Sequence, residues 1–309
     1  MEVFNRSASS QSTPSRAGYF RWIICALLLL GVTKNYMDRQ VLGVLKTTLQ
    51  HDLGWNEIDY GNLVFAFQAA YAIGMVVVGR IVDRLGVKLG YAVTMVFWSL
   101  ASMAHAAGSS LTTFLVARST LGLGEAGVFP ASIKAVAEWF PTEDRSTAMG
   151  IINAGTSVGA VIAPPLIAVI LSCANWRWIF AISGALGLLW TAWWRLSYFV
   201  PEPETLRSGR RQMPHTSATN PRWTSLLRIR EVWGMVVAKF LSDAAWYFYL
   251  FWLPKYLYDA RGFDTKAVGA FAWIPYAAAG IGCLAGGWFS SSLVRREFSL
   301  GVARKLALG

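Results

Sequence analysis

The feature that most constrains this sequence is a succession of apolar runs, each about 20 residues long, which is the length that crosses the hydrocarbon core of a bilayer as one helix. We predict eight such spans, roughly at residues 19–42, 58–80, 88–108, 111–137, 146–171, 176–199, 232–257 and 266–290. Hydrophobic residues make up 55% of the chain and charged residues only 15%, against about 25% charged in soluble domains. The sequence therefore predicts an all-α polytopic membrane protein.

The order of the spans suggests a division into parts. A polar tail, 1–18, precedes a six-helix N-terminal bundle, 19–200. An arginine-rich segment, 201–231, is predicted to be a solvated cytoplasmic linker, and 232–309 a partial C-terminal bundle of two helices and the start of a third. No small-residue cleavage site follows the first apolar run, so we expect it to be a retained helix.

The distribution of basic residues predicts the orientation. Segments on one side of the spans carry 17 lysines and arginines, and segments on the other side carry 5. Since cytoplasmic loops are enriched in these residues, we expect the N-terminus in the cytoplasm. The net charge of +11 is spread over short segments between spans, which argues against a nucleic-acid partner. The expected surroundings are a lipid bilayer.

Lys34, Asp38 and Arg39 interrupt the first apolar run. A charge at the centre of a membrane helix costs about 2.5–3.5 kcal/mol on insertion scales. Such side chains therefore face a partner or a water-filled cavity rather than lipid. This pattern favours a transporter over a membrane anchor.

Arg39 shares a helical face with Tyr36 and Asn35, three and four residues earlier. A guanidinium group binds a carboxylate through two parallel hydrogen bonds, and the phenol and amide add further polar contacts. The three residues are candidates to bind an organic anion. The alternative is that Arg39 neutralises Glu125 or another acid without touching a substrate.

Lys34 and Asp38 are four residues apart and should meet on another face of the same helix. A lysine partner favours the ionised carboxylate. This argues against Asp38 as the sole proton carrier and makes Glu125 the stronger candidate.

Arg118 and Glu125 lie seven residues apart, two turns along one face of the fourth span. Burial disfavours the charged form of a carboxyl group, so Glu125 is a candidate for proton coupling with Arg118 nearby. The alternative is a structural role in holding helices together.

Further candidates for substrate binding are Gln68 and Tyr71, three residues apart on the second span, and Thr156 on the fifth. Their polar groups could bind sugar hydroxyls or simply pack in the core. Lys239 and Asp243 are expected to pair with each other. No cofactor or metal motif and no catalytic constellation is recognisable, and the three cysteines lack metal-ligand spacing, so we expect no enzyme.

Several motifs carry a resemblance to a known family. The pattern Gly79-x-x-x-Asp83-Arg84-x-Gly86-x-Lys88 resembles the cytoplasmic signature between helices two and three of the major facilitator superfamily, and Arg118-x-x-x-Gly122 its helix-four motif. Three more segments are similar to the anion:cation symporter branch, near the bacterial hexuronate and galactonate transporters. They are residues 35–39, residues 138–141 with Arg145, and residues 239–256.

The resemblance implies proton-coupled uptake of a sugar acid by alternating access in the bacterial inner membrane. It implies that Arg39 holds the substrate carboxylate, with Tyr36 and Tyr71 lining the site. Asp38 and Glu125 would carry protons, with Arg118 modulating Glu125. Gly79, Asp83 and Arg84 would form a cytoplasmic gate that stabilises one conformation.

The family has twelve helices, and this chain stops where a ninth would begin. Two alternatives to hexuronate uptake therefore stay open: transport of another organic anion, and a truncated remnant that does not transport. The oligomeric state is left open as well.

Overall fold

A computed structural model describes residues 16–199, 228–251, 256–257, 260–262 and 273–308, and within these ranges every regular element is a helix. The helices are α1 (Arg16–Val44), α2 (Lys46–Leu53), α3 (Glu57–Ala106), α4 (Leu111–Glu125), α5 (Val128–Trp139), α6 (Arg145–Cys173), α7 (Trp176–Ser197), α8 (Arg230–Phe251), α9 (Ile274–Arg295) and α10 (Leu300–Leu308). The all-α prediction is confirmed. Most of the predicted tail and linker lies outside the described residues, and the division into domains stays a prediction.

Local side-chain caps explain where several helices begin. The Asn56 side chain accepts hydrogen bonds from the amides of Ile58 and Asp59, while Asp59 accepts from the Asn56 amide at 3.0 Å. Ser110 and Thr113 form the same reciprocal arrangement at the start of α4. Such capping boxes satisfy amide groups that have no partner within the helix, and they set the connections between consecutive helices.

The predicted break between the second and third spans corresponds to a bend at Gly86, whose φ of 74° lies in the left-handed region and at which two helices join into the 50-residue run α3. Glycine adopts that conformation without steric cost, so the chain bends without an intervening loop. The fourth predicted span is instead two helices, α4 and α5, which are separated at Ala126 and Gly127.

The core lies where α1 meets α6 and α7, and where α3 meets α4 and α7. Gly122 permits a close crossing of α4 and α3, because a Cβ atom there would lie 2.5 Å from the Phe67 carbonyl oxygen on α3. Between α3 and α7, the tilted rings of Tyr91 and Trp190 pack against each other with centroids 4.9 Å apart, and the Trp190 indole N–H donates to the Leu27 carbonyl of α1. These contacts hold α1 inside the bundle.

Among the described residues, five helices are long and apolar enough to cross a membrane: α1 from Tyr19, α3, α6, α7 and α9. Their outward faces carry large exposed apolar side chains such as Phe65, Val169 and Leu189. In a bilayer these side chains contact lipid.

α9 packs along α6 through small residues. A Cβ atom at Gly287 would lie 2.6 Å from the Ser146 carbonyl oxygen, and the Ser291 hydroxyl accepts from the Thr147 amide at 3.0 Å. At one end of this seam, Asp144 binds both Arg295 (2.9 Å) and Arg21 (3.0 Å). α9 is therefore joined to α6 and, through Asp144, to α1 by specific contacts.

Candidate functional site

Two neighbouring residues of α1 hold two separate buried ion pairs. Lys34 Nζ donates to Asp38 Oδ2 at 2.5 Å, as the spacing of four residues predicts. Arg39 Nε donates to Glu125 Oε2 of α4 at 2.8 Å. Because consecutive helical residues diverge by about 100°, the two pairs lie on different faces of α1.

The Arg39 guanidinium group lies among aromatic rings. Its central carbon is 4.5 Å from the ring centroid of Tyr71, 4.9 Å from that of Tyr36 and 5.4 Å from that of Phe67. Contacts between a cation and aromatic faces of this kind fix a guanidinium group in place without using its N–H donors. The predicted proximity of Tyr36 and Tyr71 to Arg39 is present in the structure.

Several buried polar atoms near this pair have no hydrogen-bond partner among the described residues. They are Arg39 Nη2, Glu125 Oε1, both amide atoms of Asn35, and Nε and Nη2 of Arg118. A buried polar group without a partner costs about 1–3 kcal/mol, and in native proteins such groups are usually satisfied by water or a ligand. These atoms make the surroundings of Arg39 a candidate polar binding site.

Both carboxylate oxygens of Asp38, by contrast, accept hydrogen bonds. Its Oδ2 accepts from Lys34 and from Trp98 Nε1 at 2.6 Å, and its Oδ1 accepts from the Ser183 hydroxyl. Three helices, α1, α3 and α7, thus contribute donors to one carboxylate that is 2% exposed.

Arg118 and Glu125 form no ion pair with each other in the described residues, as their spacing leads one to expect. Both are buried, and Arg118 lies within electrostatic range of Glu125, Tyr60 and Asp38. The cluster as a whole has three cationic side chains, Lys34, Arg39 and Arg118, against two acids.

Two candidate residues remain, Gln68 and Thr156. Gln68 is half-buried on α3, one turn from Tyr71. The Thr156 hydroxyl of α6 donates to the Asn153 carbonyl at 2.8 Å, so its hydrogen is used within its own helix. Neither position excludes a contact with a ligand, and their roles stay predictions.

The predicted gate residues lie at the bend of α3, away from Arg39. Asp83 is largely exposed and accepts from Lys134 Nζ of α5 at 3.2 Å. Arg84 is exposed, and a Cβ atom at Gly79 would meet nothing within 4 Å. The signature therefore connects α3 to α5 within the described residues.

Sequence reasoning missed Trp98, Ser183 and Phe67. A buried indole N–H needs an acceptor, which made every tryptophan a candidate partner for an acid, but the chain has 15 of them. The aromatic Trp246 of α8 also reaches this region, 6.5 Å from Tyr36 and 6.0 Å from Tyr276 between ring centroids.

The chain is similar to curated transporters over most of its length. It is 34% identical over 301 residues to the galacturonate transporter of Dickeya chrysanthemi, covering 93% of this chain and 87% of the relative. It is also 34% identical over 301 residues to the hexuronate transporter of Escherichia coli (strain K12), covering 93% of this chain and 69% of that protein.

Among solved structures, the fold is similar to a bacterial homologue of the human lysosomal transporter Spinster in an inward-facing, unoccupied conformation. The TM-score is 0.68 at 20% sequence identity, over 90% of this chain and 64% of that one. The chain thus spans somewhat under two thirds of the solved transporter, and the likeness concerns the fold. Residues 28–307 match the sequence model of the Major Facilitator Superfamily. This protein is a membrane protein that belongs to the Major Facilitator Superfamily.

Proposed function

We propose that this protein carries a sugar acid of the hexuronate type, together with protons, across the bacterial cytoplasmic membrane by alternating access. The observation that carries the proposal is the half-satisfied Arg39–Glu125 pair. Arg39 Nη2 and Glu125 Oε1 are buried without partners, while the other atoms of the pair meet at 2.8 Å. Such a pair is arranged to exchange one carboxylate for another.

The charge of the cluster suits an anion. Lys34, Arg39 and Arg118 outnumber Asp38 and Glu125 by one positive charge when both acids are ionised. A guanidinium group binds a carboxylate through two parallel hydrogen bonds, and Asn35, Tyr36 and Tyr71 add groups that can bind sugar hydroxyls. Gln68 and Thr156 are proposed as outer contacts.

Proton coupling follows from competition for Arg39. When Glu125 takes up a proton it loses its charge, and Arg39 is released to bind the substrate carboxylate. When the substrate leaves, Glu125 returns its proton and pairs with Arg39 again. Arg118 acts on Glu125 electrostatically, and Asp83 with Gly79 and Arg84 is proposed to stabilise one of the two conformations.

The orientation and organisation are part of the same proposal. The bias of lysine and arginine places the N-terminus and the 201–231 segment in the cytoplasm. The first six spans, 19–200, form one bundle and 232–309 part of a second. Two similar proteins are a galacturonate transporter and a hexuronate transporter, and this supports the substrate class.

The test is uptake of labelled glucuronate and galacturonate by cells that express the 309-residue chain, with and without a proton gradient. Arg39→Ala should abolish binding and uptake. Glu125→Gln should permit exchange of substrate across the membrane but not uphill uptake. Lys46→Met is the control, because the Lys46–Glu57 pair is at the exposed end of α2 and α3.

The uptake results separately test the proton coupling, the substrate and the transport activity. Uphill uptake that survives in Glu125→Gln contradicts the coupling role of Glu125. Absence of hexuronate uptake, together with uptake of another labelled organic anion that unlabelled hexuronates do not inhibit, points to that other anion as the substrate. No uptake by a chain that is present in the membrane rejects transport by this chain, and a longer version with a family-type C-terminal half then tests whether the site needs further helices.

A further inference from the structure

The carboxylate of Asp38 is bound more completely than any other acid of the buried cluster. Lys34 Nζ and Trp98 Nε1 both donate to Oδ2, at 2.5 and 2.6 Å. Neither nitrogen can accept a hydrogen bond in these forms. A proton on Oδ2 would therefore face two donors. A proton on Oδ1 would require the Ser183 hydroxyl, which donates to this oxygen, to turn and accept instead.

Lys34 is itself held in place from several sides. Its ammonium group lies 4.6 Å from the centroid of the Trp98 ring, which binds cations on its face. Gly187 of α7 passes so close that a Cβ atom there would lie 2.9 Å from Lys34 Cε. The side chain is 10% exposed, and these contacts hold its ammonium group against Asp38.

Beyond the pair lies a small cleft of about 50 Å³ between α1, α6 and α7. Its polar lining consists of Lys34, Asp38 and Ser183, and its other lining residues are apolar. The charged side chains facing the pair from other described elements are Arg118 and Glu125 of α4, both within electrostatic range. No further acid or histidine among the cleft-lining residues could relay a proton to Asp38 from this side.

We infer that Lys34 acts as a resident cation that takes the place of a proton on Asp38, so that Asp38 stays ionised throughout and Glu125 is the only acid of the cluster that exchanges protons. Lys34 is thus a positioning residue that sets the number of coupled protons. The statement about the number of coupled protons rests on the proposed function. The protonation state of Asp38 can be tested without any transport. It reverses the role that the resemblance implies for Asp38.

Removing the positive charge of Lys34 should change the protonation of Asp38. A carboxylate buried without a cationic partner takes up a proton instead of remaining charged. Lys34→Met should therefore turn Asp38 into a second protonatable acid. Lys34→Arg keeps the positive charge and should not.

The experiment is infrared difference spectroscopy of the full chain in lipid bilayers, with the protonated-carboxyl band followed across the pH range in which the protein stays folded. In the unmodified chain, Glu125→Gln should remove a titrating band and Asp38→Asn should remove none. Lys34→Met should add a band, which Asp38→Asn should then abolish. Lys34→Arg and the exposed-pair variant Lys46→Met should match the unmodified chain.

A titrating band lost on Asp38→Asn in the unmodified chain would overturn the inference, as would a Lys34→Met variant without an added band. If Lys34→Met does not fold, the Asp38→Asn comparison in the unmodified chain decides alone, because Asn preserves the shape of the side chain. In vesicles that transport substrate, accumulation should rise with the first power of the proton gradient, and with its second power in Lys34→Met. Absence of transport with the expected spectra rejects the proposed function and leaves the Lys34 assignment standing.

Discussion

Asp38 and Glu125 are both buried acids that pair with a cation of α1, and they differ in how completely they are bound. Asp38 pairs with a residue one turn away and has three donors from three helices. Glu125 pairs with a residue 86 positions away and keeps one oxygen without a partner among the described residues. A fully bonded acid holds helices together, whereas a half-bonded acid can change partners.

This comparison predicts that loss of Asp38 damages the fold more than any other change at the two pairs. Removing one partner of a buried pair costs about 3–5 kcal/mol, because the remaining charge is left without compensation. Asp38→Leu should lower the free energy of unfolding by that amount, measured by denaturant titration in detergent micelles. The double variant Lys34→Met with Asp38→Leu should regain most of it, since both charges are then absent. A double variant as unstable as the single one would contradict the pairing.

Trp98→Phe tests the second donor to Asp38. The ring remains and the N–H is lost, so we expect a loss of about 1.5–3 kcal/mol, the range for a hydrogen bond to a charged group. Trp190→Phe is the matched control, because its indole N–H donates to the neutral carbonyl of Leu27 and should cost only about 0.5–1.5 kcal/mol. Thermal unfolding of the two variants side by side gives the difference, and equal losses would mean that the charge of Asp38 adds nothing.

Gly187→Ala tests whether Lys34 is fixed beside Asp38, because the added methyl group crowds the Lys34 side chain. A methyl group there meets the Ser99 hydroxyl and Lys34 Cε, and overpacking of a core costs about 1–3 kcal/mol. Gly61→Ala is the control, because nothing lies within 4 Å of its added Cβ and alanine favours a helix by up to about 1 kcal/mol. Thermal unfolding should show opposite shifts for the two variants. A stable Gly187→Ala protein would indicate that Lys34 can move.

Tyr71→Phe should have the smallest effect of these changes, and it should affect sugar-acid binding rather than the stability of the fold. The ring stays over Arg39, so the stability should not change. Loss of one neutral hydrogen bond, about 0.5–1.5 kcal/mol, should weaken sugar-acid binding about 2- to 13-fold, as measured by calorimetry. Tyr198→Phe should lower the stability and leave sugar-acid binding unchanged. The Tyr198 hydroxyl donates to Glu138 at 2.7 Å and lies outside the candidate site.

The helical architecture and the Lys34–Asp38 pair were predictable because both depend on local patterns. A run of about 20 apolar residues must become a helix in a bilayer, where every backbone group needs an internal partner. A spacing of four residues brings two side chains together on any helix. Both predictions hold without knowledge of which helices are neighbours.

The partners of Arg39 and the full set of donors to Asp38 were not predictable in this way. Glu125, Trp98 and Ser183 reach α1 from three other helices, and many acids, indoles and hydroxyls in the sequence could have done so. The sequence predicted a break between residues 80 and 88, but only the structure assigns the bend to Gly86, whose backbone is left-handed.

The sequence by itself determined that this chain is a bundle of membrane helices with costly charges inside, because hydropathy and helical spacing are properties of short segments. Only the tertiary structure decided which acid is bound on all sides and which is left half-bound. That distinction depends on where helices cross, and helix crossings are set by the shapes of side chains that are distant in sequence.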